Sequence, residues 1–217
     1  MGYVEVNSKL ADELRRFWEW FGTDIHEYEA IKTKNGLEEF MYPHWDELVR
    51  LAYRTIEDLE KGEATDVALI LEVMALDNEE ENILTECVNK LSESRLEIVV
   101  KHGTIFPLSN TRWQIAELIG RKQHTTWEKY LLKLIEDSNK YVQRRALLSL
   151  VKIDSKLASE LSFQKLDDVD EMMRLNAIRI IKETSSTFLN EALKKLEGDT
   201  SQLVLEEVAS IKKDIDV

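Results

Sequence analysis

Cysteine occurs once in 217 residues, proline twice and glycine seven times. Strand-rich domains need many tight turns, and turns consume glycine, proline and asparagine. So few of them, beside abundant Leu, Glu, Lys, Ile and Ala, points to an all-α protein. The lone Cys87 excludes an internal disulfide and a CxxC metal pair. It lies in the apolar-periodic segment ILTECVNKL, where a small core residue is expected. No stretch approaches the roughly 20 apolar residues of a membrane span. The N-terminus has no basic region followed by an apolar run, so a signal peptide is not expected. Position 6 is Val where a myristoylation signal requires Ser or Thr. The expectation is a cytoplasmic protein without contact with a membrane.

Catalytic signatures are missing too. There is no glycine-rich phosphate loop, no GxSxG, no HExxH and no paired CxxC. The four histidines are scattered. His26 with Glu29, and His44 with Asp46, fall short of the three or four converging ligands that a metal requires. Neither a metal nor another cofactor is expected, and the chain reads as a non-enzyme.

What is present is a repeat. DSNKYVQRRALLSLVKI at 137–153 is followed 31 residues later by DVDEMMRLNAIRIIKET at 168–184. Steps of 31 connect Ile115, Ala146, Ala177 and Val208. Four residues earlier stand Thr111, Val142, Met173 and Val204; four later stand Ile119, Leu150, Ile181 and Lys212. Positions i, i+4 and i+8 share one helix face, so each copy carries the same buried stripe. Asp137, Asp168 and Asp199 precede three of the copies, where they are expected to cap the following helix. A looser apolar helix lies between copies: WEKYLLKLIE, LASELSFQKL and STFLNEALKKLE. A helix–turn–helix unit cannot bury both faces alone, and stacking on neighbours closes its core.

The unit resembles a HEAT repeat, particularly the short bacterial HEAT-like repeats of about this period. The resemblance rests on TRWQIAELIG at 111–120, VQRRALLSL at 142–150 and MRLNAIRII at 173–181. Arg112 and Arg174 fall on the family's arginine, whereas Gln143 and Leu205 depart from it. Coverage is good over about 105–217; Leu84 and Val88 in ENILTECVNKL extend it upstream. The resemblance implies a right-handed α-solenoid of antiparallel helix pairs, about 10–12 helices in all. Residues 1–62 are expected to form an atypical helical cap, and 63–217 a continuous run of repeats. Within the cap, SKLADELRRFWEWF is expected to start after Asn7–Ser8, EYEAIKTKNG to stop at Asn35–Gly36, and Pro43 to open a helix that ends near Gly62. Thr65–Asp66 caps the next helix, and Glu79–Glu81 read as a solvated helix start.

Two features of the first half suggest a role. Residues 1–100 hold 10 Lys/Arg against 24 Asp/Glu, so they carry the whole of the chain's formal charge of −13. That field attracts basic partners and repels phosphate backbones. Of 17 aromatic residues, 10 precede residue 54, and aromatics supply much of the energy at interfaces. Trp18, Trp20, Glu38, Glu39, Tyr42, Trp45 and Asp46 are the candidate contacts for a basic protein partner, as an immunity-type or scaffold protein would bind. The alternative is a basic groove along the repeats built from Arg112, Arg144, Arg145, Arg174 and Arg179, able to take nucleic acid. One HEAT-like family, the alkylpurine DNA glycosylases, uses such a groove with a tryptophan and a carboxylate, a pattern that Trp113 and Glu117 loosely match. The acidic first half opposes that use, and nucleic acid is the less expected partner.

Overall fold

A computed structural model describes residues 3–31 and 36–215, all helix, turn and irregular backbone, with 13 α-helices and no strand among the described residues. The side chains of 3–8 are not described, and Asn35 of the expected stop lies outside the described residues. Two compact units are present, Met1–Lys122 and Gln123–Val217. The expected boundary after residue 62 falls inside the first of them.

The first unit contains α1 (Tyr3–Phe21), α2 (Tyr28–Ile31), α3 (Trp45–Lys61), α4 (Val67–Leu76), α5 (Asn82–Lys90), α6 (Glu93–Gly103) and α7 (Ser109–Lys122). α1 begins by Tyr3, so Asn7 and Ser8 lie within the helix instead of capping it. VALILEVMAL is apolar almost all round, and a helix of that kind is buried on all sides. α4 accordingly packs on α1, α3, α5, α6 and α7. Asp66 caps it by accepting from Ala68 N–H at 3.0 Å. Its open C-terminal carbonyls are satisfied from α7: Gln114 donates to Met74 O at 2.6 Å and Asn110 to Ala75 O at 3.1 Å. Gly62 ends α3 in the left-handed conformation (φ 82°). Gly103 is required by packing, because a β-carbon there would collide with the Ile115 side chain.

The second unit contains α8 (Glu128–Ile135), α9 (Lys140–Val151), α10 (Ser155–Gln164), α11 (Glu171–Glu183), α12 (Leu189–Lys195) and α13 (Gln202–Ile215). α9 packs on α8, α10 and α11, and α11 on α10, α12 and α13. The stripe positions form the core: Val142, Ala146, Leu150, Met173, Ala177, Ile181 and Val204 are wholly buried and Val208 nearly so. Thr111, Ile115 and Ile119 are likewise wholly buried in the first unit. Each such valine, leucine or isoleucine contributes about 1.5–3 kcal/mol by leaving water.

The 31-residue step also appears in the loops. Asp137, Asp168 and Asp199 each accept from the N–H two residues on, at 2.8, 2.9 and 2.8 Å. The N-caps of α9 and α11 are instead Asn139 and Asp170. Positions 112, 143 and 174 each donate back to the loop before their own helix. Arg112 reaches Phe106 O (2.8 Å), Gln143 reaches Asp137 O (2.5 Å) and Arg174 reaches Asp168 O (2.8 Å). Gln143 therefore performs the arginine's local task despite its different chemistry.

Candidate functional site

The aromatic side chains of the first unit divide into a packed cluster and a part left at the surface. Phe17 is wholly buried, stacks on Phe21 with ring centroids 5.5 Å apart, and meets Tyr42 edge-on at 5.4 Å. Tyr42 is buried and donates its hydroxyl to Glu13 at 2.7 Å. Glu39 is buried and accepts from the Tyr28 hydroxyl. Burial and these carboxylates push both tyrosine hydroxyls well above their ordinary range. Tyr42 is thus a core residue, and the expectation that it meets a partner is corrected; Glu39 is equally buried and only edges a cleft. Both occur in an irregular stretch where no periodicity marks an inward side.

Burying those two residues fixes the turn between them. Glu39–Met41 forms a short 3-10 helix held at Glu39 by Tyr28 and just beyond it at Tyr42 by Glu13. The turn consequently holds Phe40 (56% exposed) and Met41 (50% exposed) out to solvent. Phe40 and Trp45 wall a cleft of about 260 Å³ with Leu76, Asp77, Glu39, Glu79 and Glu80. Glu79 and Glu80 lie in a turn before α5 and not in its first helical turn. The task expected of them falls to Asp77, which accepts from Ile83 N–H at 2.8 Å. Burial pushes the Asp77 carboxyl up to about 6, against the pull of the Ile83 and Asn82 N–H groups.

A second, wider cleft of about 630 Å³ lies between the C-terminal half of α1, the turn after it and α4. Leu14, Trp18 and Leu69 supply apolar surface, and Glu19, Asp24, Glu27 and Glu72 supply carboxylates. Trp18 Nε1 donates to Glu72 at 2.5 Å, and its ring meets Tyr28 edge-on with centroids 5.5 Å apart. Burial pushes the Glu72 carboxyl up, and the indole N–H pulls it back. Arg15 is the only basic residue among those lining either cleft. It is already engaged by Asp12 at 2.8 Å and Glu19 at 3.6 Å.

Of the candidate contacts, Trp18 and Trp45 therefore line clefts. Glu38 and Asp46 are exposed beside the turn and helix of the smaller cleft. Trp20 is half-buried against Tyr42, with ring centroids 5.4 Å apart. Phe40, Met41, Glu72 and Asp77 were not among the candidates. The sequence signal for the first two is an apolar pair beside Glu38–Glu39, outside any helical period.

The arginines of the alternative groove are committed within the fold. Arg174 makes a two-pronged pair with Asp199 (2.7 and 2.7 Å) and is only 11% exposed. Arg144 pairs with Asp170 at 2.8 Å and Arg179 with Glu207 at 2.6 Å. Arg174 holds the Asp199 carboxyl below its usual range. Arg145 is partly buried. Arg112 belongs to the first unit and the other four to the second. At Arg144, Arg174 and Arg179 a phosphate would have to displace the carboxylate already paired with the guanidinium group. Trp113 and Trp127 are buried, so neither presents a face to a base, and Glu117 pairs with Arg121 at 3.2 Å. Among the described residues no three His, Cys, Asp or Glu side chains converge on a metal position, and no helix is long and apolar enough to cross a membrane. No protein-family model matches the chain, and no curated protein is significantly similar to it.

Proposed function

We propose that this chain is a non-catalytic protein-binding module of HEAT-like α-solenoid build, and that its first unit receives a basic protein. The anchored turn that holds Phe40 and Met41 out beside Trp45, Glu79 and Glu80 carries this reading. A large apolar pair kept exposed by buried hydrogen bonds on either side is costly for an isolated protein and useful at an interface. The carboxylates around it add attraction and faster encounter for a cationic surface. The 31-residue register of buried stripe and loop hydrogen bonds supports the repeat architecture. Cys87, wholly buried and with its thiol pushed up to about 12 by burial, suits a protein of the reducing cytoplasm. An immunity-type or scaffold role follows from acidic charge without catalytic motifs.

Affinity purification from the source cell with the wild-type chain and the F40A/E79Q/E80Q variant tests the proposal. The expected result is a basic protein retained by the wild type, released by salt and lost from the variant. Retention of nucleic acid in its place, or a partner indifferent to the variant, overturns it.

A further inference from the structure

α4 is the innermost helix of the first unit, and it touches both clefts from one face. Leu69 and Glu72 line the wider cleft, while Leu76 and the adjoining Asp77 line the smaller. Positions 69, 72 and 76 are three and four apart, hence on one side of the helix. Seven residues of α-helix separate Leu69 from Leu76 by about 10 Å along the axis. The clefts are also joined through the core. Trp18 of the first meets Tyr28 edge-on, and Tyr28 donates to Glu39 of the second. Their spacing is therefore held by buried side chains and not by a loop.

Each cleft offers the same chemistry. Trp18 lines one together with Asp24, Glu27 and Glu72; Trp45 and Phe40 line the other together with Glu79 and Glu80. An indole or phenyl wall with carboxylates at its rim suits a guanidinium or ammonium group, which gains from the ring face and the charge together. We propose that the first unit reads two cationic side chains about 10 Å apart on one basic segment of its partner, one entering each cleft. This rests on the reading of the partner as a basic protein. An extended polyproline-type segment repeats every three residues with a rise of about 3.1 Å per residue, so an Arg-x-x-Arg spacing sets both cations on one side about 9 Å apart. Occupying both clefts makes the second contact intramolecular, which multiplies affinity without new chemistry.

The full chain is titrated at low salt with four short peptides, followed by calorimetry and tryptophan fluorescence. Arg-Pro-Pro-Arg carries the matching spacing, Arg-Arg-Pro-Pro carries the same charge without it, and Arg-Pro-Pro-Gln and Gln-Pro-Pro-Arg carry one cation each. Arg-Pro-Pro-Arg is expected to bind about tenfold or more tightly than Arg-Arg-Pro-Pro. E72Q, which keeps an acceptor for the Trp18 N–H, and E79Q/E80Q, at exposed positions, are each expected to remove that advantage. Equal affinity for the two doubly charged peptides, or an advantage insensitive to both variants, overturns the two-cleft proposal and leaves the basic-partner reading in place. No binding of any cationic peptide overturns both.

Discussion

Asp77 offers the sharpest test of how the first unit is held together. It is 2% exposed, it accepts from Ile83 N–H, and burial raises its carboxyl from 3.8 to about 6. Between those values the folded protein keeps a proton that the unfolded chain releases. Stability from this group is therefore complete at low pH and is lost as pH rises through about 6. The loss by pH 7 amounts to about 3 kcal/mol at about 1.4 kcal/mol for each tenfold change in ionisation. D77N keeps an oxygen acceptor for Ile83 N–H and carries no charge at any pH. Relative to the wild type it should gain about 2 kcal/mol between pH 4 and pH 7, whatever fixed offset its amide introduces. Other carboxylates, such as Asp199, titrate with the opposite sign, and the difference between the two proteins removes them. Urea unfolding of both proteins at half-unit pH steps, followed by tryptophan fluorescence, supplies the measurement. A difference in stability that stays flat from pH 4 to pH 7 would refute the argument, since it would mean that Asp77 ionises as freely folded as unfolded.

Three further substitutions probe other joints. R174A strips the Asp199 carboxylate and two loop carbonyls of their donor; urea unfolding should show a loss of about 3 kcal/mol, reduced when D199N is added. G103A drives a methyl group into Ile115 where α6 meets α7; it should cost about 1–3 kcal/mol by the same assay, and I115V should relieve part of it. Y42F removes the donor to Glu13 from the buried cluster and should cost about 1.5–3 kcal/mol. Its affinity for Arg-Pro-Pro-Arg should be unchanged, and a loss there without a loss of stability would return Tyr42 to the surface.

The buried stripe was legible because two periods coincide in it. The helical i, i+4 spacing selects Val142, Ala146 and Leu150, and the 31-residue step repeats the selection at Met173, Ala177 and Ile181. The loop aspartates were legible as turn residues but not in their role. Asp can hold the N–H two residues ahead or cap a helix, and sequence does not fix how far the first helical residue lies beyond it. In the fold Asp168 takes the first task and Asp170 the second. The site was harder to read. Tyr42 and Glu39 lie in a segment whose burial depends on partners at Glu13 and Tyr28, and no local pattern encodes that pairing. The commitment of Arg174 to Asp199 was in principle visible, since the repeat itself places an aspartate at the next loop.

The two units use charge differently, and the difference bears on function. Residues 123–217 hold 15 Lys/Arg against 17 Asp/Glu, and several of these cations bind carboxylates of a following segment, as Lys140 binds Asp168 at 2.6 Å and Lys182 binds Asp214 at 2.6 Å. Near-equal numbers are what a structural network requires. Residues 1–122 hold 14 against 25, so at least 11 carboxylates have no cation of their own unit to neutralise them. Such an excess does not stabilise the compact state, because self-repulsion opposes it. Packing compensates for it: α4 alone touches five other helices of the unit. A field that works against its own fold yet is concentrated on one unit, together with the clefts walled by Trp18, Phe40 and Trp45, supports the proposal that this unit receives a positively charged partner.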